Sequence, residues 1–234
     1  MQMPIKELGI KMSERVIEVL SDSFLKILLP GIKVTIPLTI VSFILAFLIS
    51  LIVAFIQHSK IKVLVPLTRF YIWIVRGTPL LVQLYIFFYG LPSIGIKLPA
   101  YLCAFLVFGL NEGAYMAETM RASIDAVPSG QLEAGYCVGM SYLQIMLRII
   151  LPQALRTAFP SLMNSLIALI KETSMASTIT VVEMFRQAQI INGRVYQPFA
   201  LYLEAAFIYL MFCSIVTFIQ KKVEKKLNTY GGVK

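Results

Sequence analysis

Long apolar segments separated by short polar ones make up most of the chain. Five of them approach or exceed the roughly 20 residues that a helix needs to cross a bilayer. We expect spans at residues 33–57, 70–96, 99–120, 152–172 and 199–220. In residues 1–30, apolar positions recur at helical spacing among charges of both signs, which predicts an interfacial helix. The pattern therefore predicts an all-α integral membrane protein with one transmembrane domain over residues 31–222 and a tail over residues 223–234.

Prolines mark the predicted ends of these spans. Pro37 opens the first span and Pro152 begins the fourth, because proline is tolerated in the first turn of a helix. The second span contains Pro79, where we expect a bend.

The composition agrees with a membrane protein, since 58% of the residues are hydrophobic and only 14% are charged. The net charge of +9 is spread over loops and the tail, with no stripe on one surface. We interpret it as the positive-inside bias of a membrane protein and not as a nucleic-acid site. The densest positive cluster, at residues 221–226, follows the last span. Five spans put the termini on opposite sides, so we expect a cytoplasmic C-terminus and an N-terminus outside.

Groups for catalysis or metal binding are missing from the sequence pattern. The three cysteines show no metal-ligand spacing, the only histidine is His58, and no glycine-rich phosphate loop or paired nucleophile and base occurs. We expect no enzyme activity, no metal and no cofactor in this chain. Free energy for any transport must then come from a partner.

A polar segment, residues 129–151, separates the third and fourth spans. Ser129 follows a proline and can cap a short helix, Gly139 can stop it in the left-handed conformation, and Ser141 with Gln144 forms a capping-box pattern. The pattern predicts two short helices joined by a glycine corner. This elbow either packs on its own membrane domain or receives a partner beside Glu133, where small neighbours leave the backbone accessible.

The spacing within this segment is that of a known motif. Glu133, Ala134 and Gly135 are followed after three residues by Gly139, after nine more by Ile149, and then by Leu151 and Pro152. The pattern resembles the EAA loop of bacterial ABC-importer permeases, with Gly135 in place of the second alanine. The resemblance implies that these seven residues couple the chain to a cytoplasmic ATP-binding subunit.

Three further stretches resemble the polar amino acid branch of that family, which takes up histidine, glutamine, arginine and cystine. They are RGTPLLVQL at Arg76–Leu84, the segment Ala114–Gly135, and KETSMAS at Lys171–Ser177. With Glu204–Ala206 they are most similar to cystine permeases of Gram-positive bacteria. The resemblance implies a type I importer permease fold in the bacterial cytoplasmic membrane, with a second permease copy as a homodimer. It also implies an extracytoplasmic solute-binding protein and two ATPase subunits that hold ATP and magnesium.

Polar residues inside the predicted spans are candidates for the substrate pathway, because an intramembrane charge needs a partner or a wet cavity. Glu172, Thr173 and Ser174 offer an acceptor and hydroxyls in one short stretch, and an interruption of the helix within KETSMAS would add exposed N–H donors. Pairing of Glu172 with Lys171 at the outer end is the alternative. The other candidates are Asn111, Glu112, Tyr115, Asn164 and Gln83.

Two further interpretations concern packing. Ser161 and Ala168 share a small face with Asn164 and Glu172, and we assign them to helix packing. Glu118 and Arg121, three residues apart, are expected to form a structural pair near the cytoplasmic end.

We expect the chain to be an importer permease with cystine as the leading cargo. Arginine, histidine or glutamine is the alternative within the family, and a proton-coupled secondary transporter is the alternative from another class.

Overall fold

The structure is a computed structural model that describes residues 5–58 and 63–229, with side chains for residues 15–58 and 63–227. Within these ranges the chain is helical and contains no strand. The ends of the predicted N-terminal segment and tail, residues 1–4 and 230–234, lie outside the described residues. The α-helices are α1 Ile5–Pro30, α2 Ile36–His58, α3 Leu64–Gly77, α4 Leu80–Tyr85, α5 Ala100–Asp125, α6 Ser129–Cys137, α7 Tyr142–Ile145, α8 Leu151–Glu172, α9 Met184–Val195 and α10 Pro198–Thr229.

Three helical stretches are each long and apolar enough to cross a membrane: Arg15–His58, Ala100–Asp125 and Pro198–Leu227. Two further pairs of helices meet the same criteria when each pair is taken as one span, and each pair is bent at a short break. The pair Leu64–Gly77 and Leu80–Ile94 is bent by 102°, and the pair Tyr142–Ile179 and Met184–Val195 by 50°. The described residues thus contain three to five candidate spans, and the predicted five is the upper end of that range.

The N-terminal segment is not separate from the first span. Helix α1 continues into α2 through a π-helical turn at Gly31–Thr35, so that Arg15–His58 is one helical stretch of 44 residues. The sequence instead predicts a separate interfacial helix over residues 1–30. In the structure α1 packs along α9 and α10, with Ile27 fully buried in their shared core.

Prolines explain the π-helical turns. The turns at Gly31–Thr35, Ile86–Gly90 and Met146–Ile150 each end two residues before a proline: Pro37, Pro92 and Pro152. A proline has no N–H to donate, and its ring crowds the carbonyl four residues earlier. That carbonyl lies within the π turn in each case, where the wider winding relieves the crowding. The chain therefore stays helical through positions where its sequence indicates a helix start.

The second predicted span is broken far more sharply than an ordinary proline kink. Helix α3 ends at Gly77, Thr78 is extended with φ −120° and ψ 143°, and α4 starts after Pro79. The residue before a proline avoids the helical region, which forces Thr78 out of the helix. Gln83 braces the turn, because its Nε2 donates to the carbonyl of Val75 at 2.8 Å and to Thr78 Oγ1 at 2.8 Å.

The centre of the fold is the contact between α2 and α5, the most extensive between any two helices. Two glycines of α5 permit it. A methyl group on Gly109 would collide with Leu45 of α2, and one on Gly113 would lie 3.0 Å from Cγ2 of Ile49. Small residues at this spacing let helix backbones approach closely in a membrane.

Glu204, whose role the sequence leaves open, belongs to helix packing. Its carboxylate is buried and accepts a short hydrogen bond from the hydroxyl of Ser23 on α1. This contact fixes the N-terminal helix against α10.

Candidate functional site

A polar cleft of about 870 Å³ lies between three elements of the fold. The break between α3 and α4 forms one wall, the middle of α5 forms the second, and one face of α8 forms the third. Its lining comprises Arg76, Gly77, Thr78, Pro79, Leu80, Asn111, Glu112, Tyr115, Glu118, Thr119, Ser161, Asn164, Ser165, Ala168 and Glu172. A cavity of this size and polarity suits a small polar solute.

Carboxylates dominate the charge of the cleft. Glu112 of α5 is 7% exposed. Its carboxyl group has Ser165 as a hydrogen-bond partner and interacts electrostatically with the carboxyl group of Glu172. Glu118 lies further along α5, where Arg76 Nη1 approaches its Oε2 at 3.6 Å. Charged groups that are kept from bulk water need partners, and an ammonium group would supply one.

Five of the eight predicted pathway residues line this cleft: Asn111, Glu112, Tyr115, Asn164 and Glu172. Gln83 does not line it, but its Oε1 accepts a hydrogen bond from Asn111 Nδ2 at 3.1 Å and so supports the wall. Thr173 is fully buried, with its hydroxyl donating to the carbonyl of Ile170 at 2.6 Å. Ser174 lines a separate, mainly apolar pocket between α8 and α10.

The polar face of α8 lies along the cleft over its whole length. Ser161 and Ala168, which we assigned to helix packing, are part of this wall together with Asn164. The side chain of Asn164 also reaches α10, since Gln220 Nε2 donates to its Oδ1 at 3.4 Å. The helical spacing predicts this shared face, whereas what the face meets depends on neighbouring helices.

The helix is interrupted after Glu172, as the KETSMAS segment suggests. A 3₁₀ helix at Thr173–Ile179 follows, and Thr180 then adopts φ 70°, a left-handed conformation that ends it. The next helix, α9, is capped by Glu183, for which the sequence pattern predicted no role. Its buried carboxylate accepts the backbone N–H groups of Phe185 and Arg186, both at 2.7 Å. An acidic residue directly before an amphipathic stretch is the signal that identifies such a cap.

The segment between α5 and α8 has the predicted form of two short helices with a glycine corner. Gly139 adopts φ 79°, and Met140 N–H donates to the carbonyl of Gly135 at 3.1 Å, as in a left-handed helix cap. The capping box of Ser141 and Gln144 is present. Ser129 differs from its predicted role, because it is the first residue of α6 and the preceding position is Pro128, with no side-chain cap.

The outer surface of this joint carries both charge and apolar area. Glu133 and Ala134 are exposed, and among the described residues none forms an ion pair with Glu133. The same segment between α5 and α8 also has exposed apolar side chains: Tyr136, Val138, Leu143 and Leu147. An uncovered apolar area rimmed by charge is typical of a surface that binds another protein. Unlike Glu133 and Ala134, Gly135 is buried, and the side chain of Ile145 in the same joint fills the space beside it.

The second half of the joint is rigidly attached to the cleft wall. Helix α7, the π turn and α8 form one continuous helical rod that extends from Tyr142 to Glu172. Ile145, Met146 and Ile150 are buried in a core with α2 and α5, and Ile149 and Leu151 pack against it. Ile149 and Leu151 therefore hold the rod in place, whereas Pro152 is exposed. Helix α7 and the polar face of α8 belong to one continuous helix.

A series of polar contacts along α5 and the end of α2 connects the cleft to the second helix of the joint. Arg121 forms the predicted pair with Glu118 at 3.7 Å, but its closer contact is with Asp125 at 2.8 Å. Asp125 in turn lies 3.2 Å from His58 Nε2 at the end of α2. The hydroxyl of Tyr142 on α7 donates to the carbonyl of His58 at 3.1 Å. The joint and the cleft are therefore parts of one connected structure.

Within the described residues, no group of three or more His, Cys, Asp or Glu side chains is placed to hold a metal ion. The geometry provides a polar cleft and an exposed joint whose second helix is continuous with one wall of that cleft. A cleft of this kind can accept a small polar solute.

Comparisons with known proteins agree with this geometry. The family profile described as "Binding-protein-dependent transport system inner membrane component" matches residues 46–229. The L-cystine transport system permease protein TcyB of Bacillus subtilis (strain 168) is 46% identical over 91% of this chain and 92% of its own length. A protein of Rickettsia typhi named for glutamine transport, GlnP, is 39% identical over 86% of this chain and 91% of its own length.

Two solved structures share the fold. A crystal structure of an amino acid ABC transporter with histidines has a chain that superposes with a TM-score of 0.76 and is 31% identical, over 97% of this chain and 100% of that one. A chain of the inward-facing MetNI methionine ABC transporter superposes with a TM-score of 0.72 at 17% identity, over 86% of this chain and 96% of that one. The second likeness concerns the fold alone.

Proposed function

The chain belongs to the family of binding-protein-dependent transport system inner membrane components, as the permease of an amino acid ABC importer, and from this premise we propose that its cargo is L-cystine. The greater identity to the cystine permease than to the glutamine-named protein, 46% against 39%, supports this cargo. A cleft with carboxylates at two levels also suits cystine, which carries an ammonium group at each end.

The observation that supports this mechanism is the continuous helical rod from Tyr142 to Glu172. Its exposed end belongs to the joint, and its other end lines the cleft beside Glu172. We assign Glu133 and Ala134 to the surface that meets the ATPase. When ATP binding draws two ATPase subunits together, the joint follows and α8 moves as a rigid body. The cleft then opens to the outside, and ATP hydrolysis returns it to the inside.

The working assembly in this proposal contains two copies of the chain, two ATPase subunits and one extracytoplasmic binding protein. ATP and magnesium are held by the ATPase subunits. The chain lies in the bacterial cytoplasmic membrane with its N-terminus outside and its C-terminus in the cytoplasm. Exposed lysines at the end of α10, among them Lys221, Lys222 and Lys226, support this orientation because positive charge favours the cytoplasmic side.

Reconstitution tests the function. The chain is placed in proteoliposomes with an ATP-binding subunit and a solute-binding protein from the same organism, and uptake of radiolabelled cystine, glutamine, arginine and histidine is measured. We expect uptake of cystine that requires ATP and the binding protein. Preferred uptake of another amino acid would replace the cargo but keep the importer, whereas uptake driven by a proton gradient without ATP would favour a secondary transporter.

The orientation has its own test. Cys137 of α6 is exposed, Cys103 is buried, and Cys213 is half-buried. In the variant with Cys103→Ser and Cys213→Ser, a membrane-impermeant maleimide should label Cys137 only when the cytoplasmic side is accessible. Labelling of intact cells would place the joint outside and would overturn the coupling proposal.

A further inference from the structure

Arg76 occupies a special position in the cleft. It lies in the last turn of α3, directly before the sharp break that forms one wall. Among the described residues that line the cleft it is the one cation, and three carboxylates, those of Glu112, Glu118 and Glu172, line the same cleft. The sequence pattern alone predicts no role for Arg76.

The guanidinium of Arg76 is held in position, but some of its N–H groups remain available for further hydrogen bonds. Its central carbon lies 5.0 Å from the ring centroid of Tyr115, which holds the side chain by a cation–π contact. Its Nη1 lies 3.6 Å from Glu118 Oε2, beyond the range of an ordinary hydrogen bond. The Arg76 side chain is 41% exposed. A guanidinium has five N–H donors, so donors remain free to meet a solute in the cleft.

We propose that Arg76 binds the α-carboxylate of the amino acid in this cleft. The planar guanidinium can donate two parallel hydrogen bonds to a carboxylate, a geometry that gives both strength and direction. The contact with Glu118 holds Arg76 in place when the cleft is empty. When cargo binds, its carboxylate replaces Glu118 as the main partner of Arg76. This inference rests on the proposed transport function and adds the residue that orients the cargo.

The separation of the charges supports this orientation. Glu112 and Glu118 are six residues apart on α5, or about 9 Å along the helix axis. In an α-amino acid, the ammonium and carboxylate groups are attached to the same carbon. One end of the cargo therefore pairs with Arg76 and Glu118, while Glu112 and Glu172 remain available for a second positively charged group. Cystine has a second ammonium group and arginine has a guanidinium group, whereas glutamine has neither.

Probes with and without a carboxylate test the proposal. Cystamine has the disulfide and both amino groups of cystine but no carboxylate, and agmatine has the same relation to arginine. Equilibrium binding of each pair to the purified permease–ATPase complex is measured for the wild type, Arg76→Gln and Arg76→Lys. Arg69→Gln is the matched control, because Arg69 is an exposed arginine on the same helix that does not line the cleft.

We expect Arg76→Gln to weaken binding of cystine or arginine by about 10- to 100-fold, the loss typical of a charged hydrogen-bond partner. Binding of cystamine or agmatine should change by less than about threefold, because these probes lack the group that Arg76 holds. Arg76→Lys should fall between, since it keeps the charge but loses the fork-shaped donor set. Arg69→Gln should match the wild type.

Several outcomes would overturn the proposal. Equal weakening of the acid and its decarboxylated partner would show that Arg76 shapes the cleft without meeting the carboxylate, and no weakening would show no contact. If affinity without the binding protein is too low to measure, the uptake rate at saturating binding protein decides, and Arg76→Gln must then be at least about tenfold slower than Arg69→Gln. A wild type that shows no ATP-driven uptake would instead refute the importer function, and this inference with it.

Discussion

Gly135 and Ile145 pack so closely that a methyl group on Gly135 would lie 2.6 Å from Cγ1 of Ile145. These residues belong to the two helices of the coupling joint, α6 and α7. The glycine that departs from the family's EAA pattern is thus matched by a large side chain across the corner. The pair fixes the angle between the two helices, and through α7 it fixes the helical rod that lines the cleft.

We predict that Gly135→Ala alone destabilises the joint. Overpacking of a close contact typically costs about 1–3 kcal/mol. Ile145→Ala alone should also destabilise, because it leaves a cavity in a buried cluster. The double variant should lose less than the sum of the two, since each change relieves the other. Thermal unfolding of the purified complex measures all three, and additive losses would contradict the proposed fit.

Gly139 gives a second prediction. Its φ of 79° is a conformation that costs a residue with a side chain about 1 kcal/mol or more. Gly139→Ala should lower both the unfolding temperature and the uptake per ATP hydrolysed, because the corner can no longer close cleanly. Gly130→Ala is the control, since Gly130 lies in α6 with open space around it and no unusual φ. If the two variants behave alike, the corner does not depend on the left-handed conformation.

The exposed carboxylate of Glu133 gives a third prediction. Glu133→Leu should leave the unfolding temperature unchanged, because the side chain makes no ion pair among the described residues. It should lower ATP-driven uptake by about tenfold or more, since a charge meeting a partner's basic group contributes of the order of 1.5–3 kcal/mol. ATPase activity and uptake are measured together, with Gln131→Leu on the same helix as the control. Normal uptake in Glu133→Leu would remove its coupling role.

The structural features that were predicted correctly depend on residues that are close together in the sequence. A capping box and a left-handed glycine depend on residues within four positions of each other, so Ser141, Gln144 and Gly139 could be assigned correctly. The shared face of Asn164 and Glu172 follows in the same way from helical spacing. These features need no knowledge of the neighbouring helices.

The features that could not be predicted from the sequence depend on how separate helices contact one another. Pro37 and Pro152 indicate helix starts by local rules, yet each lies in a continuing helix because a π turn precedes it. Arg76 lies within the predicted span of residues 70–96, and its place in the cleft lining depends on the 102° bend that follows it. The packing of Ile145 onto Gly135 is equally invisible to spacing, because it joins two short helices across a corner.

Glu183 provides the fourth prediction. Its carboxylate accepts two backbone N–H groups at the start of α9 and the hydroxyl of Tyr209 on α10 at 2.8 Å. Glu183→Ala should destabilise the fold by at least about 1–2 kcal/mol, because these buried donors lose their acceptor. Tyr209→Phe removes one donor and should cost less. Thermal unfolding compares them, and equal stability of Glu183→Ala and the wild type would show that α9 does not depend on this cap.

The buried carboxylate of Glu112 allows a prediction in which stability and transport change differently. Glu112→Gln keeps the shape and removes an acid that is costly to place inside the fold, so the unfolding temperature should stay the same or rise. Uptake should nevertheless fall by about tenfold or more, because the ammonium group of the cargo loses a charged acceptor. Glu18→Gln, on the exposed surface of α1, is the control for loss of one negative charge. A variant that is both less stable and slower would assign Glu112 to packing, and one with unchanged uptake would exclude it from the pathway. Only the combination of retained stability and lost uptake identifies a carboxylate that the protein keeps for its cargo.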